Sequence, residues 1–131
     1  AGFGVLSGIA FGILFLAEIN PLTFIRTALP KNSPDLLFLF LVGGIVAPVA
    51  EEVFFRGILY GFLRRWGIAV ALVLSTLVFS VSHGLGHGFP LTQVVGGVLF
   101  AAAYEIEKNL LVPITIHCLG NTAIFTLSSA F

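Results

Sequence analysis

The chain has 131 residues, of which 58% are hydrophobic and 9% charged, and its mean hydropathy is +1.11. Soluble domains carry about 45–50% apolar and about 25% charged residues, so the composition excludes a soluble globular protein and marks a membrane protein. Six basic and six acidic residues cancel, which argues against a nucleic-acid partner or a polybasic surface-binding domain and leaves membrane lipids as the main partner.

Five stretches approach the roughly 20 apolar helical residues that a hydrocarbon core about 30 Å thick requires. Residues 2–19 form the first; they lack the basic n-region of a secretory signal and read as a span. Gly4, Gly8 and Gly12 recur there at every fourth position, a spacing that lets helix backbones approach closely within one bundle. After a loop rich in Pro, Asn and Ser, residues 36–64 form the second span, long enough to tilt or protrude, with a kink expected at Pro48. Gly57 and Gly61 repeat the four-residue spacing, and Arg64, Arg65 and Trp66 end the helix as an interfacial anchor, with Tyr60 one turn inside.

Residues 68–83 make the third span and run into the glycine-rich GLGHGF; residues 90–106 make the fourth and residues 108–131 the fifth, with Pro113 in its first turn. The loops are short, so neighbouring helices should be antiparallel. Basic residues divide too evenly between the two faces to orient the chain. The single Cys118 excludes an internal disulfide and reads as a packing residue. No domain boundary interrupts the chain, so residues 1–131 read as one membrane-embedded domain; beginning at Ala1 and containing no Met, it reads as a piece of a longer polypeptide.

Ionisable groups at the centre of a membrane helix cost at least about 2.5–3.5 kcal/mol each to insert, so the segment PVAEEVFFR needs a reason. Glu52 and Arg56 stand four apart with the acid first, the favourable order for an ion pair on one helix face. Glu51 is turned by about 100° from Glu52 and lacks that partner. It is the candidate reactive group. His83 closes the third helix one turn after Phe79, and His117 and Asn121 share a face of the fifth. Counting about 1.5 Å per residue from the interface that holds the second and fourth loops places Glu51, His83 and Asn121 ~18–24 Å deep and His117 about a turn shallower. Taken singly, each residue also has a structural reading: a buried Glu51–Glu52–Arg56 network, a hydrogen-bonded packing histidine at His83, an interhelical tie at Asn121. Their joint occurrence in three helices points to a site. His87 reads as a loop residue, and Glu18, Glu105 and Glu107 as interfacial.

EEVFFR fits an EExxxR motif, FSVSH fits FxxxH and HCLGN fits HxxxN, in that order. Together, over residues 45–121, they resemble the CPBP family of intramembrane proteases, which includes type II CAAX prenyl proteases and bacteriocin self-immunity proteins. The resemblance implies an all-α polytopic membrane bundle with further helices upstream, and an endopeptidase acting on a membrane-associated, hydrophobic or lipidated CAAX-like peptide. It implies catalytic roles for Glu51, His83, His117 and Asn121, with Glu52 and Arg56 completing the first motif. Glu51, aided by His83, would be the base acting on water. His117 and Asn121 would hold the oxyanion.

The family is commonly labelled metalloprotease, and Glu51, His83 and His117 can supply the three protein ligands of a catalytic zinc. No HExxH helix is present, and a metal-free glutamate mechanism is preferred here. Two other readings of the same residues remain: a transporter or proton-relay component using the buried Glu and His, and a non-catalytic membrane scaffold.

Overall fold

A computed structural model of the protein describes residues 27–84 and 90–130. The expected first helix with Gly4, Gly8, Gly12 and Glu18, the loop residue Arg26, and His87 lie outside the described residues. Within them the chain is helical, with no strand, and forms four helices: α1 (Ser33–Trp66), α2 (Ile68–Ser82), α3 (Leu91–Glu107) and α4 (Leu111–Ala130). By length and composition, α1 with 34 residues and α4 with 20 are able to cross a membrane.

The Asn32 side chain starts α1 by accepting the Asp35 N–H at 2.8 Å, and Pro34 occupies the first turn, where a missing N–H costs nothing. Two stretches of α1 loosen to π geometry, Val42–Val46 and Val53–Tyr60. Pro48 accounts for the first. It offers no N–H to the Gly44 carbonyl and its ring crowds that oxygen, and the Ala47 N–H reaches five residues back to Val42 O. The kink expected at Pro48 thus takes the form of a π turn, and Glu51 and Glu52 sit on the short α-helical segment between the two loosened stretches.

Gly67, at φ +110°, is the single residue joining α1 to α2, a conformation that a side chain would strain. The Asn109 side chain caps α4 by accepting the Leu111 N–H at 3.0 Å. α2 packs along α3, α3 along α4, and α1 lies against both α2 and α4. α1 and α4 are antiparallel: Glu52 meets His117, whereas the earlier Gly43 meets the later Asn121.

The burial pattern is inverted relative to a soluble protein. Glu52, Arg56, Ser75, Thr76, Ser80 and His117 are buried, while Phe38, Ile58, Val73, Leu77 and Ile106 face outward. Hydrocarbon solvates such an exterior without penalty, and the polar groups turn to the bundle interior as they do in membrane proteins. At the charged end of α1, Arg64, Tyr60 and Lys108 converge on Glu105. Arg65 stacks its guanidinium on Phe62 and Trp66.

Candidate active site

Glu51 and Glu52 are adjacent in sequence and live in different surroundings. Glu52 is fully buried, and its Oε1 accepts from Arg56 Nη1 at 3.0 Å and lies 2.8 Å from His117 Nδ1. Glu51 keeps 28% of its side chain exposed. Its Oε2 has no hydrogen-bond partner among the described residues.

Two imidazoles face that oxygen. His83 Nε2 lies 3.5 Å and His117 Nε2 3.9 Å from Glu51 Oε2. Each ring is held by its other nitrogen. His83 Nδ1 lies 2.8 Å from its own helix's Phe79 carbonyl, one of the carbonyls left over at a helix C-terminus. Gly84, at φ +88°, turns the chain away immediately afterwards. His117 Nδ1 rests on Glu52. A carbonyl and a carboxylate only accept, so both Nδ1 atoms carry protons and both Nε2 atoms are left to act on whatever Glu51 binds.

Arg56 is sealed inside the bundle. Besides Glu52, it donates from Nη2 to the Gly97 carbonyl of α3 at 3.1 Å. Its guanidinium carbon lies 4.6 Å from the Phe79 ring centre and 5.2 Å from that of Phe100, within the range of cation–π attraction. α3 comes close enough for this because residue 97 is Gly: a Cβ there would approach Thr76 Cγ2 to 2.8 Å.

The six residues singled out in the sequence separate into a cluster and a tie. Glu51, Glu52, Arg56, His83 and His117 meet directly. Asn121, one turn beyond His117, donates its Nδ2 to the Gly43 carbonyl at 2.9 Å. Gly43 precedes Glu51 by eight residues, about 12 Å along the helix. His117, expected a turn shallower than Glu51, instead lies beside both glutamates. Glu52 was read as a partner of Arg56 alone; it also holds His117. Cys118 places its thiol towards the Ile45 carbonyl, a packing position.

The sequence reading places α3 as a span and gives it no part in the site. Gly97 and Phe100 carry no ionisable group, and the one signal was the pair Gly96–Gly97 one turn before an aromatic residue. The candidate metal donors Glu51, His83 and His117 lie near one another, yet among the described residues no three His, Cys, Asp or Glu side chains form a group able to hold a metal. No step below passes through a metal.

The model of the type II CAAX prenyl endopeptidase Rce1-like family matches residues 33–123, a range that contains all six residues. The chain is 35% identical over 111 residues to the membrane-embedded CAAX protease MroQ of Staphylococcus aureus, covering 79% of this chain and 43% of that protein. It is 34% identical over 86 residues to the putative membrane peptidase YdiL of Bacillus subtilis, covering 64% of this chain and 34% of that one. An uncharacterized 24.3 kDa protein of Escherichia coli is 27% identical over 97 residues, with 70% and 45% covered. The chain spans less than half the length of these curated relatives. No solved structure matches it. The chain belongs to the type II CAAX prenyl endopeptidase Rce1-like family.

Proposed function

We propose that this family member is a multi-pass intramembrane endopeptidase that hydrolyses a peptide bond of a hydrophobic or lipidated, CAAX-like peptide at the membrane. One observation carries the reading: a buried carboxylate oxygen without a hydrogen-bond partner, Glu51 Oε2, on a side chain that is itself 28% exposed, faces the Nε2 atoms of two histidines whose Nδ1 atoms are both anchored. The names of the two protease relatives supply the substrate class.

Water bound between Glu51 and His83 gives up a proton to that pair as its oxygen attacks the peptide carbonyl carbon. The carbonyl oxygen becomes an oxyanion, held by His117 through Nε2 and by Asn121 through the amide hydrogen not spent on Gly43. For Nε2 to donate, His117 carries both protons, and its charge is met by Glu52. With Glu51 and Glu52 ionised and Arg56 and His117 cationic, the four groups sum to zero, which is what a low-dielectric site requires. The proton taken from water then passes to the peptide nitrogen, the C–N bond breaks, and an acid and an amine leave.

The test is cleavage of fluorogenic peptides, prenylated and unlipidated, by the full-length protein in liposomes. The reading expects hydrolysis that falls by roughly 10²–10⁴ in Glu51→Gln. Ion flux that depends on Glu51 or His83, with no peptide cut, would replace it with a proton-relay reading. Unchanged biological activity of Glu51→Gln would leave a scaffold.

A further inference from the structure

α3 contributes nothing to the three motifs, yet it touches two of the groups that the motifs bring together. The Phe100 ring stacks on the His117 imidazole with centres 4.5 Å apart and planes 19° from parallel. The same ring lies 5.2 Å from the Arg56 guanidinium and meets Phe79 edge-on at 6.2 Å. Its place is prepared one turn earlier: a Cβ on Gly96 would come within 3.2 Å of Phe100 Cε2, so the bare glycine leaves room for the ring.

A hydrogen bond at Nδ1, together with the Cβ–Cγ bond, sets the tautomer and the approximate direction of an imidazole, but hydrogen-bond angles are broad enough to let its plane tilt. The Glu52 contact therefore holds His117 while leaving some tilt of the ring, and with it of Nε2. A parallel aromatic face removes the remaining freedom, because swinging the imidazole would break an offset stack worth about 0.5–1.5 kcal/mol and drive the ring into its neighbours. Phe79 flanks the pair, its ring edge-on to His117 at 5.9 Å and to Phe100 at 6.2 Å.

We infer that Phe100 is a positioning residue of the peptidase: its ring face, set by Gly96, fixes the plane of His117 so that Nε2 is aimed at Glu51 and the reacting carbonyl. The inference rests on the peptidase reading for its kinetic consequence and stands on the stack alone for its structural one. Phe100 touches no substrate atom in this account; it acts through His117.

The experiment has two arms, both on the full-length protein in detergent or liposomes. In the kinetic arm, Phe100→Leu lowers kcat by roughly 10- to 100-fold, the scale of a misplacement of about 1 Å, with KM unchanged. Phe100→Tyr, which keeps the face, retains most of the activity. In the spectroscopic arm, histidine-labelled protein is observed by NMR, and the His117 imidazole is assigned by its disappearance in His117→Ala. Its ring protons are shifted upfield by Phe100 in wild type and in Phe100→Tyr, and the shift is lost in Phe100→Leu. Wild-type kcat in Phe100→Leu, or an equal loss in Phe100→Tyr, overturns the inference. So does a wild-type His117 signal without the upfield shift, a result that needs neither a folded Leu variant nor an active enzyme. Cleavage lost in Glu51→Gln but kept in Phe100→Leu leaves the peptidase standing and removes Phe100 from it.

Discussion

His117 and Glu52 stand 65 positions apart in the chain and meet at 2.8 Å, Nδ1 to Oε1, while Glu52 at the same oxygen holds Arg56 at 3.0 Å. One buried carboxylate thus neutralises a cation on its own helix and orients a histidine on another. These two duties have separable consequences. In Glu52→Gln the buried Arg56 is left without its counter-charge, a loss of about 3–5 kcal/mol for a broken buried pair, and thermal unfolding in detergent should occur at a clearly lower temperature. Glu52→Gln with Arg56→Met removes both charges and should recover much of the thermal midpoint. Peptide cleavage should stay low in the double variant, because His117 still lacks its anionic anchor. A double variant that is as active as wild type would show that Glu52 serves only Arg56.

Asn121 and Gly43 form the second contact between α1 and α4 that bears on the site. A Cβ on Gly43 would lie 3.1 Å from Phe125 Cζ, so Gly43→Ala requires the tip of the Phe125 ring to give by a few tenths of an ångström. We expect kcat to fall by less than about tenfold, since displacements of about 1 Å cost up to 10² and no catalytic atom is removed. Asn121→Ala should cost more: about 10²–10³ in kcat for a lost oxyanion donor, together with about 1 kcal/mol of stability for the lost bond to Gly43. Rates and thermal midpoints of the two variants, measured side by side, separate the roles. A loss of midpoint in Asn121→Ala without a loss in kcat would reduce Asn121 to a helix tie.

The helices were legible because hydropathy and the Pro-, Asn- and Gly-rich breaks between apolar runs are local signals, and α2 to α4 begin and end within a few residues of their expected bounds. The family was legible in EEVFFR, FSVSH and HCLGN. Helix geometry separated Glu51 from Glu52 correctly, since a 100° turn is a property of one helix. Relations between helices were not legible. Depth counting assumed a common starting level and left His117 too shallow; nothing in the spacing of Glu52 and Arg56 announces a third partner on α4. The contribution of α3 was hidden for a chemical reason. Gly97 acts through its backbone carbonyl and the space it leaves, and Phe100 through a ring face, and neither property marks a residue out in an apolar sequence with 14 phenylalanines.

The arrangement of Glu51, His83 and His117 makes a distinct forecast about metal. Both Nδ1 atoms have acceptor partners, an arrangement that metal-bound imidazoles also use, but the three donors do not converge as a metal group among the described residues. Extensive dialysis against a chelator should therefore leave the cleavage rate unchanged, and purified protein should carry far less than one zinc per chain. Stoichiometric zinc that is retained by wild type and lost in His83→Ala would reverse this and make Glu51 a ligand rather than a base.

Glu105 closes the other end of the bundle and should separate stability from catalysis. Tyr60 donates to its Oε2 at 2.8 Å, Arg64 grips both oxygens at 2.9 Å, and Lys108 Nζ lies 2.6 Å from Oε1. Tyr60 is eight residues from Glu52 on α1, about 12 Å along the helix, and no polar contact links the two groups. Glu105→Gln keeps the acceptor for Tyr60 but removes the charge that gathers Arg64 and Lys108, so α1 and α3 lose their tie at this end of the bundle. The thermal midpoint should fall while kcat stays within about twofold, as expected for sites too far apart to couple. Salt supplies the control, because exposed charges are screened over roughly 8–10 Å at physiological ionic strength. Raising it should lower the wild-type midpoint towards that of Glu105→Gln and leave the variant nearly unmoved. A wild-type midpoint indifferent to salt would mean that packing of Tyr60 and Tyr104, whose rings meet edge-on at 5.8 Å, holds this end without help from the charges.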